Sequence, residues 1–122
     1  MKISIKKALV CCLLFAGVTA MAQQPAIIPV PDQMTVGTGV WTIKKSATIG
    51  CDNAQLRPAA EYLSQMLSRA TGYRFAVKNG KGDIRLTLAN EGNAGAYRLS
   101  VTGKGVTIEG DTYRGVINAI AT

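Results

Sequence analysis

The feature that most constrains this chain is a single apolar stripe between residues 56 and 70. Leu56, Ala60, Leu63, Leu67 and Ala70 recur at steps of four, three, four and three, which predicts an amphipathic helix widened by Met66. Asp52 or Asn53 stands where an N-cap is needed, Pro58 fits the first turn, and Gly72 suits a left-handed helix end. One apolar stripe must cover something, and the segments downstream of it supply the surface. Arg74–Val77, Ile84–Leu88, Tyr97–Val101 and Val106–Glu109 carry short β patterns. In the second of these, Ile84, Leu86 and Leu88 alternate with Arg85 and Thr87, so one face is apolar and the other polar.

The remaining segments punctuate this pattern. Thr102-Gly103-Lys104-Gly105 predicts a tight hairpin, and Asn79–Asp83 and Glu91–Gly95 are glycine-bearing turns. Upstream, Ile27-Ile28-Pro29-Val30-Pro31 is expected to be extended, because a residue before proline is driven from the α region. Trp41-Thr42-Ile43 and Ala47-Thr48-Ile49 read as two short strands. Val116, Ile117 and Ile120 open a second amphipathic helix. The expected order is two strands, a helix, four strands and a helix. It points to an α/β (α+β) two-layer sandwich, a mixed β-sheet with helices packed on one face.

The first 22 residues read as an export leader. Lys2, Lys6 and Lys7 precede an apolar run from Ala8 to Val18, and Ala20-Met21-Ala22 offers a cleavage point before Gln23. The run is shorter than the roughly 20 residues that span a bilayer. Val10 before Cys11 is not the small residue that lipidation requires. The expected division is therefore a signal peptide over 1–22 and one domain over 23–122, periplasmic or extracellular, with no membrane partner after cleavage. Removing the three lysines lowers the net charge from +7 to +4. The remaining cations are scattered, which argues against a nucleic-acid partner.

Several familiar chemistries lack their residues here. The chain has no histidine, so histidine-ligated zinc and a Ser–His relay are both excluded. Gly103-Lys104-Gly105 begins like a dinucleotide fingerprint, but Ile108 replaces the third glycine and the motif joins two strands. Cys51 is the one cysteine of the expected mature chain and reads as a small apolar residue. Glu109 and Asp111 can project from one side of a strand end, and glycosidases use carboxyl pairs roughly 5 to 9.5 Å apart. Helix capping by Asp111-Thr112 and a solvated strand edge explain both acids more simply. Tyr62, Tyr73 and Tyr97 can stack on a sugar, but core and rim positions account for them equally. No catalytic, substrate-binding or metal residue is assigned, and no cofactor.

Three blocks in order carry a resemblance: IIPVPDQMTVGTGVWTI, PAAEYLSQMLSRATGY and AYRLSVTGKGVTIEGDTYRGVINAIAT. Together they resemble the N-terminal domain of bacterial β-N-acetylhexosaminidases, glycoside hydrolase family 20, from residue 27 to 122. Tyr97, Leu99, Val106, Ile108, Thr112, Gly115, Ile120 and Thr122 occupy the most specific block, whereas Asn118 departs from the usual glycine or tyrosine. The resemblance implies a zincin-like fold that binds no metal and precedes a (β/α)₈ barrel. In the family, the barrel removes terminal N-acetylglucosamine or N-acetylgalactosamine. The substrate's own acetamido group attacks, assisted by an Asp-Glu pair that no position here matches. The expected partner is that barrel, in the same polypeptide and beyond Thr122, with carbohydrate met only through the parent enzyme. Alternatives are the N-terminal domain of another N-acetylglucosaminidase or α-glucuronidase family, or a free-standing carbohydrate-binding module. The last would need exposed aromatics, whereas Trp41 reads as a core residue.

Overall fold

The computed structural model describes residues 25–28 and 30–122; the leader read over 1–22 lies outside the described residues. Five strands and two α-helices form the domain: β1 (Thr48–Cys51), α1 (Arg57–Thr71), β2 (Ala76–Asn79), β3 (Ile84–Leu88), β4 (Tyr97–Thr102), β5 (Gly105–Gly110) and α2 (Tyr113–Ala121). The sheet order is β2-β1-β3-β5-β4, with every pair parallel except the β4–β5 hairpin. The helices touch one another; α1 lies against β1 and β2, and α2 against β5, β4 and β3. This is the expected mixed sheet with helices on one face.

Local signals act largely as read. Asn53 accepts from the Gln55 N–H at 2.9 Å and starts a single 3₁₀ turn, Ala54–Leu56, from which α1 continues with Pro58 in its first turn. Gly72 ends α1 with φ of 74°, and its N–H donates to the Ser68 carbonyl. The stripe buries Leu56, Ala60 and Leu63, with Ala59 beside them, but Ala70 is exposed because α1 outruns the two strands beneath it. Ile49, Cys51, Ile84, Leu86 and Ile108 meet it from the sheet, and Val116 and Ala119 from α2. Burying each large aliphatic side chain stabilises by about 1.5–3 kcal/mol.

One expected strand is not part of the sheet. Trp41-Thr42-Ile43 has irregular backbone that pairs with no strand, yet Trp41 and Ile43 still pack against the core. Their apolar character reflects burial of side chains, which β-pairing is not needed to achieve.

The turn at 80–83 proves to be more than a turn. Parallel strands ordinarily need a crossover of a dozen or more residues, but β2 and β3 are joined by four and lie on either side of β1. Register makes this possible. Asn79 at the end of β2 is level with Cys51, whereas Ile84 at the start of β3 is level with Ile49. The connection therefore retreats by only two residues while crossing two strand spacings of about 4.8 Å each. Four residues reach that far only by passing directly over β1, and they do so at Gly50. A Cβ on Gly50 would overlap the Gly80 carbonyl and the Lys81–Gly82 backbone, and one on Gly82 would overlap Gly50 in return. Asp83 secures the far side, its carboxylate accepting from the Thr48 N–H at 2.8 Å and the Thr48 hydroxyl at 3.2 Å.

Gly50→Ala is expected to destabilise the domain by about 3 kcal/mol, at the upper end of overpacking costs. Gly72→Ala meets open space and adds only the cost of a left-handed residue, about 1–2 kcal/mol. Urea titration of the two variants would separate them.

Candidate functional site

The acidic pair singled out in the sequence lies at the C-terminal end of β5. Beside it is a shallow depression of about 210 Å³, lined by Glu91, Asn93, Arg98, Glu109 and Asp111 among others. The site is built from an inner strand and from the loop joining β3 to β4. Each carboxylate already has a partner.

Glu109 sits on the polar face of β5, directly opposite Arg98 of β4, and the two form an ion pair at 3.2 Å. The strand edge expected for Glu109 is not what the structure shows: β5 lies between β3 and β4, and its open face rather than its edge meets solvent. Arg98 is 76% exposed, so the pair contributes at most about 1 kcal/mol.

Asp111 is the buried polar residue of the described core. It does not cap α2 as the sequence suggested. Thr112 takes that role, with extended backbone and a hydroxyl that accepts from the Gly115 N–H at 3.4 Å. One position earlier, Asp111 turns inward, and its two carboxylate oxygens accept from the backbone N–H groups of Glu91 and Asn93. Its own N–H donates to the Ala96 carbonyl at 3.0 Å. A glycine-bearing loop with no sheet partners is thereby fixed at both ends to β5. Asn118 adds a third tie, donating to the Gly95 carbonyl at 3.1 Å. The amide that departs from the family pattern thus has a structural partner.

Two other carboxylates are held in the same manner. Asp52 receives a bidentate contact from Arg85, with distances of 3.2 and 2.7 Å to one oxygen and 3.2 Å to the other. The Arg85 hydrogen bond, with help from Thr87, keeps the Asp52 carboxyl below the usual value of 3.8. The Thr48 N–H does the same for Asp83. Among the described residues, no three His, Cys, Asp or Glu side chains gather where they could hold a metal ion.

The tyrosines are dispersed over separate elements. Tyr62 is half exposed on α1, and Tyr73 tilts against Phe75 with the Lys45 ammonium 5.4 Å from its ring centre. The Tyr97 hydroxyl meets the Thr122 hydroxyl at 2.7 Å. Trp41, half-buried against the core, borders a second depression of about 320 Å³ with Lys44, Asp83 and Lys104. Cys51 is buried, its thiol 3.7 Å from the Lys78 carbonyl.

Fold and site together define a small two-layer α+β domain whose acidic groups are engaged in holding loops and strands. Residues 24–122 match the family described as glycosyl hydrolase family 20, domain 2, and the chain belongs to that family. Solved structures agree. An N-acetyl-beta-hexosaminidase from Streptomyces plicatus, in complex with Thio-NAglucal, is 34% identical over 77% of this chain, with a TM-score of 0.68. The family 20 β-N-acetylhexosaminidase of Streptomyces coelicolor A3(2) is also 34% identical over 77%, with a TM-score of 0.66. An exo beta-N-acetylglucosaminidase from Vibrio harveyi, 23% identical over 78% with a TM-score of 0.70, shares the fold. The chain spans only 19%, 20% and 15% of these three chains respectively. No curated protein matches it significantly.

Asp111→Ala leaves two loop N–H groups without their acceptor. It is expected to cost about 2–3 kcal/mol and to speed amide exchange at Glu91 and Asn93. Glu109→Gln is expected to stay within about 0.5 kcal/mol of the parent. Because Asp52 and Asp83 are both depressed, their stabilisation is complete above the ordinary value of 3.8 and disappears as pH falls through their lower folded-state values. Urea midpoints measured from pH 6 downward should hold steady and then drop below about pH 4, with a shallower drop in Asp83→Asn.

Proposed function

We propose that this chain provides the non-catalytic N-terminal domain of an exported β-N-acetylhexosaminidase. Residues 1–22 act as the export signal and 23–122 as the domain, in the periplasm or outside the cell. The parent enzyme removes terminal non-reducing N-acetylglucosamine or N-acetylgalactosamine in a (β/α)₈ barrel that follows this domain. The domain braces that barrel and makes no contact with the reacting sugar.

The observation that carries this reading is the match along residues 24–122 to one domain of a family whose solved members are about five times longer. The engagement of Glu109 by Arg98 and of Asp111 by the loop amides supports a scaffolding role. A glycosidase needs one carboxyl group free to give a proton and, commonly, a second free to attack or to orient.

The purified mature chain is expected to release no detectable aryl alcohol from an aryl β-N-acetylglucosaminide. Reading the genomic frame beyond Thr122 is expected to reveal a barrel with an Asp-Glu pair. Turnover by the isolated chain that is lost in Glu109→Gln would overturn the non-catalytic assignment.

A further inference from the structure

The crossing over β1 begins with a dipeptide that can rearrange its own backbone. Of the five asparagines in the chain, Asn79 alone precedes a glycine. In such a pair the glycine nitrogen can attack the asparagine side-chain carbonyl carbon, Cγ, because no Cβ on the following residue shields it. The new Cγ–N bond closes a succinimide ring, and the N–H proton departs with the side-chain amide as ammonia. Water then opens the ring at either carbonyl. The product is aspartate or, with the main chain rerouted through Cβ, isoaspartate. Water is the only co-reactant.

The fold engages the attacking group. Asn79 is the last residue of β2, paired in register with Cys51, and it is exposed to solvent. The Gly80 N–H, which must give up its proton for the attack, donates instead to the Cys51 carbonyl at 2.8 Å. Gly80 stands at φ of 83°, a left-handed conformation that favours glycine. The turn thus demands the residue that leaves Asn79 open to cyclisation. Isoaspartate would add one main-chain atom just before Gly80. The Gly80 carbonyl already lies where any Cβ on Gly50 would fall, so the connection has no slack to absorb the insertion.

From this arrangement we infer that Asn79 is a self-modification site guarded by the crossing. The closed sheet blocks succinimide formation, each opening of the 80–83 connection permits it, and the isoaspartate form no longer closes over Gly50. Asp83 sets how often the connection opens, because its carboxylate ties the far end of the same four residues to Thr48. Release of that tie frees the Gly80 N–H from Cys51 by local opening rather than by global unfolding. The modification is irreversible, so it accumulates with the time the crossing has spent open. The inference stands apart from the reaction proposed for the parent enzyme and depends on the crossing alone.

The test is peptide mapping by mass spectrometry of the full gene product, aged in mildly alkaline buffer with and without denaturing urea. In urea, the peptide spanning Asn79 is expected to gain about 1 Da, the exchange of an amide for an acid. In buffer the gain should be at least about tenfold slower, because opening must precede ring closure. Asp83→Ala should speed the reaction in buffer and leave the rate in urea unchanged. Asn79→Gln should suppress the gain under both conditions. After removal of urea, the isoaspartate fraction should show a lower urea midpoint than the unmodified fraction. No gain in urea overturns the site. Equal rates with and without urea, in a sample that still unfolds cooperatively, or no acceleration in Asp83→Ala, overturn the guarding by the crossing. Equal midpoints of the two fractions overturn the failure to close over Gly50.

Discussion

The sheet depends on one steric condition: two backbones must pass within van der Waals distance at Gly50. The four-residue connection between β2 and β3 crosses β1 there, and neither Gly50 nor Gly82 has room for a side chain. This crossing lets β1 occupy a place between two strands that come after it in sequence. The same placement puts Ile49 and Cys51 at the centre of the core, flanked by Val77 on one side and by Ile84 and Leu86 on the other. A longer connection would tolerate side chains, but it would also release the register that aligns these residues beneath α1.

Polar groups complete what close approach begins. Asp83 ties the crossing loop to Thr48, Asp52 holds Arg85 across the β1–β3 pair, and Asp111 holds the β3–β4 loop by its backbone amides. At Asp83 and Asp111 the carboxylate fixes a loop that has no large apolar residue to anchor it. Hydrogen bonds to charged acceptors are stronger than those between neutral groups, and they hold where hydrophobic burial is absent. The acidic residues that first suggest glycoside chemistry are thus explained by the architecture around them. Belonging to family 20 does not require this part of the chain to carry the reaction.

The contrast between the two faces gives the domain a direction. Its sheet is finished towards water by threonine, arginine and serine, whereas its helix layer carries tyrosine and methionine outward.

Much of this was legible in the residues themselves. The stripe from Leu56 to Ala60 and Leu63, the alternation of Ile84, Leu86 and Leu88, the Gly103-Lys104 hairpin and the Gly72 stop are local patterns, set by backbone geometry and repeated at short range. The ordered blocks also identified the family. The fate of Trp41–Ile43 was not legible, because side chains that seek burial look the same with or without a pairing strand. Nor was the role of Asp111, since residues 91 and 93 lie far from it in sequence and only the fold brings their amides to its carboxylate. The glycines at 50 and 82 were visible as letters, but their meaning was not. Sequence determines what each segment prefers, while the tertiary structure decides which segments meet, because a steric contact between distant backbones leaves no periodicity behind it.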